Sequence, residues 1–231
     1  MLGARRATLW AVVGLGLAAA GCGGSSTATP SRAAATTSAG AVKASTQAPT
    51  PVFAKTVRLA PVSGTVLIRT PSAPDFIELR STETVPIGTV IDTRAGTVRL
   101  TSATAPPTKL QTGNFFLGRF QVVQERSLKG LTDLVIQDKL KRSVCSAQGQ
   151  QATAAKLSAR ILGLLRGKAK GHFRTRGHFA AATVRGTEWG VRDRCDGTLT
   201  VVTRGVVAVR DFTLHKTVIV KTGHTYLAKA S

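Results

Sequence analysis

From residue 53 onward, short β-branched runs alternate with turn residues. Gly64-Thr-Val-Leu-Ile-Arg69 stops at Thr70-Pro-Ser-Ala-Pro74. Runs over 75–80, 85–91 and 96–101 follow, the last ended by Ala105-Pro-Pro107, and then come 115–123 and 131–136. Toward the C-terminus, 182–185, 199–203, 206–210, 217–220 and 225–227 repeat the habit. Runs of four to eight residues with high β propensity, punctuated by Gly or Pro, predict an all-β sandwich, barrel or solenoid. Where alternation is clean, Val98 and Leu100 share one face while Thr97 and Arg99 take the other. That pattern places arginines on the wet faces of strands.

One stretch departs from this pattern. Within 146–170, the helix formers of 150–165 place Ala155, Leu157, Ile161, Leu164 and Leu165 on one helical stripe, which predicts an insertion between two β halves, a short helix or a mobile loop. Ahead of the strands, 23–51 is almost entirely Gly, Ser, Thr, Ala, Pro and Gln, with no apolar period. A linker over 22–52 follows, a coil spanning roughly 30 Å.

The first 21 residues read as an export signal: Arg5 and Arg6, then an apolar run over 7–20 that is short for a permanent span. Leu17-Ala-Ala-Ala-Gly-Cys22 resembles the lipobox of bacterial lipoproteins, although Ala19 stands where Leu or Val is usual. The resemblance implies lipidation of Cys22 and a protein tethered outside the cytoplasm. The alternative is an ordinary signal cut near Ala20, which leaves a secreted chain with a spare thiol.

Composition sharpens the picture through charge. Thirty-two Lys and Arg against eleven Asp and Glu give a formal +21, and the signal carries only two of those cations. Eleven basic residues lie between Lys139 and Thr187 with no acid among them. Arg160, Arg166, Lys168, Lys170, Arg174, Arg176 and Arg185 form the candidate polyanion-binding set, with a solvated basic face as the plain alternative. Residues 166–178 fail as a phosphate loop, because Leu162 replaces the first Gly and Ala169 the Ser or Thr. Export separates the chain from nucleic acid, so cell-wall polymer and lipid headgroups are the accessible polyanions.

Cys145 and Cys195 flank the insertion, fifty residues apart. In an exported chain they are expected to pair, worth about 4 kcal/mol in the chain-entropy model. A catalytic thiol served by His172, His178, His215 or His224 is the alternative. No close ligand pair suggests zinc, and neither a metal nor a cofactor is expected.

Val62-Ser-Gly-Thr-Val66, Val85-Pro-Ile-Gly-Thr-Val-Ile-Asp-Thr93 and Gly96-Thr-Val-Arg-Leu100 resemble the first half of a FecR-type domain. Ala182-Thr-Val-Arg-Gly-Thr-Glu-Trp-Gly-Val191 and Asp196-Gly-Thr-Leu-Thr-Val-Val-Thr-Arg-Gly-Val-Val-Ala-Val209 resemble its second half, and residues 218–223 its closing strand. The resemblance implies a FecR-like β-sandwich or solenoid over 53–231. It supplies no catalytic residues. The family's founding members signal through a transmembrane helix to a sigma factor, a role not carried over here. Three functions follow as expectations: a tethered, non-catalytic envelope binding or scaffold module that docks an envelope protein; a basic polyanion- or glycan-binding lipoprotein; a thiol-dependent wall-remodelling enzyme. Asp196-Gly197 is expected to make a tight turn and Gly186 and Gly205 to serve bends. Trp189 is expected to fill the core, or else to offer a stacking platform.

Overall fold

The alternation of inward and outward residues runs through thirteen strands in a computed structural model that describes residues 48–106, 108–137, 145 and 160–230. In chain order these are β1 (Thr56–Arg69), β2 (Ile77–Glu78), β3 (Glu83–Pro86), β4 (Val90–Ala103), β5 (Leu110–Phe116), β6 (Arg119–Val123), β7 (Thr132–Ile136), β8 (Ile161–Arg176), β9 (Ala180–Arg194), β10 (Gly197–Arg204), β11 (Val206–Asp211), β12 (Lys216–Lys221) and β13 (Thr225–Lys229). A single 3-10 turn, Arg126–Leu128, interrupts them. The expected all-β class is what forms. Its sheet closes: β4 pairs with β5, β5 with β8, β8 with β7, β7 with β6, and β6 returns to β4. The result is a five-strand barrel with further strands outside it. Only β7–β8 is a parallel pair.

Closure depends on long strands that divide one edge between two partners. β4 gives Thr97–Ala103 to β5 and Val90–Asp92 to β6. At the corner between them, Leu117 takes a positive φ of 64° and Gly118 accepts hydrogen bonds from the Thr93 backbone and hydroxyl. The apolar run over 115–123 is therefore two strands. Gly118 is required there because a Cβ would lie 2.0 Å from the Leu164 carbonyl oxygen. β8 likewise gives Arg166–Lys170 to β5 and Phe173–Arg176 to β7, with a bulge between Ala169 and His172. β9 runs beside β8 and splits its other edge between β10 and β11.

Inside the barrel, Phe115, Phe120 and Phe173 are fully buried, and Phe115 meets both other rings at centroid distances of 5.8 and 5.4 Å. Each such burial is worth about 1.5–3 kcal/mol. Trp189 stands edge-on to Phe115 at 6.2 Å and donates its Nε1–H to Thr175 Oγ1 at 3.1 Å. It is 1% exposed and fills the core. One end of the barrel holds a buried polar cluster: Gln111 Nε2 lies 3.1 Å from Ser102 Oγ, 2.6 Å from the Gly130 carbonyl and 3.0 Å from Thr132 Oγ1.

Three local expectations change. Within the insertion expected over 146–170, residues 161–170 belong to strand β8, not to a helix or loop; residues 146–159 lie outside the described residues, as do the signal and Cys22. Inward positions over 163–169 of β8 are Gly163, Leu165, Gly167 and Ala169; Gly167 has no room for a side chain, because a Cβ there would meet Phe115 at 2.8 Å and Trp189 at 3.1 Å. The tight turn consists of Cys195 and Asp196, since Gly197 already pairs with Arg194. Residues 48–52, placed in the linker by composition, lie against the body: Pro51 is buried and Thr84 Oγ1 donates to the Pro49 carbonyl at 2.6 Å.

Candidate functional site

Outward positions of β8 alternate with its small inward ones, so Arg166, Lys168 and Lys170 project from one face about 7 Å apart. The sheet register extends this face sideways. Arg99 on β4 pairs with Asn114 on β5, Asn114 with Lys168, Lys168 with Glu188 on β9, and Glu188 with Arg204 on β10. One cross-strand row of five residues therefore runs about 19 Å, four strand spacings, over chain positions 99 to 204. A parallel row joins Arg58, Thr101, Thr112 and Lys170.

The five-residue row lies along a groove of about 710 Å³, lined by Arg99, Thr112, Asn114, Lys168, Lys170, Thr187, Glu188 and Arg204 together with Gly113, Ala169 and Gly186. Lys168, Lys170, Arg99 and Arg204 are exposed. Arg99 Nε donates weakly to Asn114 Oδ1 at 3.4 Å. Among the described residues none of these four cations stands within 4.0 Å of a carboxylate. Thr187 Oγ1 is buried and has no hydrogen-bond partner among them. Arg166 lies over the Phe116 ring, its Cζ 5.7 Å from the centroid. A concave surface with four cations outside any ion pair attracts polyanions.

The other sequence candidates sit elsewhere. Arg174 forms a two-pronged pair with Asp133 of β7, Nη2 lying 2.5 Å from Oδ2. That hydrogen bond, together with the carboxylate's charge, raises the Arg174 pKa against the opposing effect of burial. Asp133 is 2% exposed, so Arg174 serves to neutralise it. Arg176 faces Val135 and Ala181, half-buried, with its Nε unpartnered. Arg185 stands opposite His172, beyond the bulge, and does not line the groove. Arg160 precedes β8 at the far end, its carbonyl accepting from the Cys195 backbone at 3.3 Å. Sequence reading thus finds three of the groove's cations or their neighbours on β8 and misses Arg99, Asn114, Glu188 and Arg204. The only signal for Arg99 is its alternation with Val98 and Leu100.

Other basic residues are also committed. Asp92, 5% exposed, binds Arg94 (2.6 Å) and Arg119 (2.8 Å). Burial alone would raise its carboxyl, but hydrogen bonds from Arg94 and Arg119 overcome that and hold it at about 2. Asp211 is fully buried, which by itself raises its pKa; hydrogen bonds from the Leu214 backbone and Tyr226 hydroxyl bring the net shift downward. The Tyr226 hydroxyl is shifted up by burial and by Asp211. His178 Nδ1 lies 3.0 Å from Asp193 Oδ2.

Cys145 and Cys195 are joined by a disulfide with Cα atoms 5.4 Å apart. Among the described residues no group of three His, Cys, Asp or Glu is arranged to hold a metal. No family model matches this chain, and no curated protein or solved structure matches it either.

Proposed function

We propose that the protein is a non-catalytic, membrane-tethered, extracytoplasmic binding module of FecR-like type whose basic groove takes an anionic polymer of the cell envelope. The observation that carries this reading is the register-built row Arg99–Asn114–Lys168–Glu188–Arg204, whose cations form no ion pair among the described residues. The export signal and lipobox-like Cys22 supply the compartment and the anchor. The FecR resemblance supplies a precedent for a β module that recognises without catalysing. A thiol enzyme is disfavoured because both sulfurs of Cys145 and Cys195 are in the bridge, and a nucleophile needs a free thiolate.

The test is a salt titration of binding to a polyuronate, with Lys168→Ala/Arg204→Ala beside the parent. A linear polyanion releases condensed counterions on binding, so the logarithm of affinity falls linearly with that of salt. The double variant is expected to bind more weakly and with a slope shallower by about 1.5. An unchanged affinity and slope would return these residues to plain solvated surface.

A further inference from the structure

The groove is not uniformly positive. Glu188 sits in the middle of its row, between Lys168 on one strand and Arg204 on the next. It is half-buried, yet among the described residues it makes neither an ion pair nor a hydrogen bond with either neighbour. Along the groove, two strands away on β5, are neutral polar groups: the Asn114 amide and the exposed Thr112 hydroxyl. A ligand made only of phosphate or sulfate oxygens offers such a carboxylate nothing but repulsion, and covering it would also strip its water. A ligand carrying hydroxyl donors beside its negative groups satisfies both kinds of wall: anions toward Arg99, Lys168, Lys170 and Arg204, and hydroxyls toward Glu188, Asn114 and Thr112.

We infer that the groove selects an acidic polysaccharide, a hydroxyl-bearing polyanion, over hydroxyl-free polyanions of the same charge, and that Glu188 is the residue that makes the selection. This rests on the polymer-binding reading above and refines its ligand class.

The experiment measures affinity of the parent and of Glu188→Gln for two probes of matched charge number, polygalacturonate and inorganic polyphosphate, at one ionic strength. Gln keeps the shape of Glu at this half-buried site, and a thermal melt checks that the fold is unchanged. The parent is expected to prefer polygalacturonate. Glu188→Gln is expected to weaken polygalacturonate about fivefold, by exchanging a charged acceptor for a neutral one, and to tighten polyphosphate severalfold by removing a like charge. Opposite signs for the two polymers support the inference. Equal tightening of both, or a parent preference for polyphosphate, overturns it while leaving polymer binding intact. If neither probe binds the parent, the polymer-binding reading itself fails.

Discussion

The two ends of the outward face of β8 look alike in sequence and behave differently in the fold. Arg166, Lys168 and Lys170 face Phe116, Asn114 and Thr112 of β5, none of them acidic, and Glu188, opposite Lys168 on β9, makes no ion pair with it. Three residues past Lys170, the partner strand becomes β7, and Arg174 meets Asp133. The first end keeps its charge for the exterior; the second spends it on an internal carboxylate. Density of Lys and Arg along a chain therefore does not locate a binding site. What decides is whether a cross-strand neighbour closes an ion pair, and the neighbour that does so for Arg174 lies 41 residues away. Asp92 with Arg94 and Arg119 repeats the paired type.

The sharpest way to break this contrast is Arg174→Ala. It leaves Asp133 buried and uncompensated, which costs about 3 kcal/mol. Urea unfolding should register that loss, whereas Lys168→Ala, on the same face, should stay within about 0.5 kcal/mol of the parent. Equal effects would mean that the two ends are not different in kind.

Asp92 tests the paired type through pH. Its carboxyl is held at about 2, below the ordinary 3.8, so the folded state binds its proton more weakly than the unfolded state does. The resulting stability is complete above pH 3.8 and disappears as pH falls through 2; the shift corresponds to about 2 kcal/mol. Asp92→Asn should lower stability by that amount at pH 7 and flatten the loss between pH 5 and 2. A variant whose acid unfolding tracks the parent would remove Asp92 from this class.

What could be read in the sequence follows the same division. Strand positions were legible wherever large β-branched residues alternate with polar ones, as over 96–101 and 206–210. The first half of β8 was hidden because, apart from Leu165, its inward residues are Gly163, Gly167 and Ala169, which carry almost no hydrophobic signal. Gly167 is small to make room for Phe115 and Trp189, which come from other strands. Closure of the barrel and the five-residue row were not legible, since both depend on the pairing of β5 with β8, which joins Asn114 to Lys168 across 54 positions of chain. The disulfide was legible from cysteine count and compartment alone. A direct check on the hidden packing is Gly167→Ala: with ring atoms 2.8 Å from the new Cβ, it should cost about 1.5 kcal/mol by overpacking beneath the groove. A neutral result would show that the aromatic cluster can yield, and that the small residues of β8 answer to something other than space.

The smallest expected effect is the most discriminating about charge. Arg160 and Arg210 are exposed, and neither lines the groove. Arg160 lies eight residues before Lys168, about 26 Å along an extended strand. Arg210 pairs with Ala181 and Thr217 at the other end of the sheet. Arg160→Ala/Arg210→Ala removes the same net charge as Lys168→Ala/Arg204→Ala, so any effect of total charge on attraction is matched between them. Stability should stay within about 0.5 kcal/mol for both. Only the groove variant should flatten the salt dependence of polyuronate binding, because counterions are released where the polymer lies against the protein, and screening removes contributions from charges more than about 10 Å away. If both variants flatten it equally, the whole basic surface acts as a diffuse attractor and the groove has no privileged place on it.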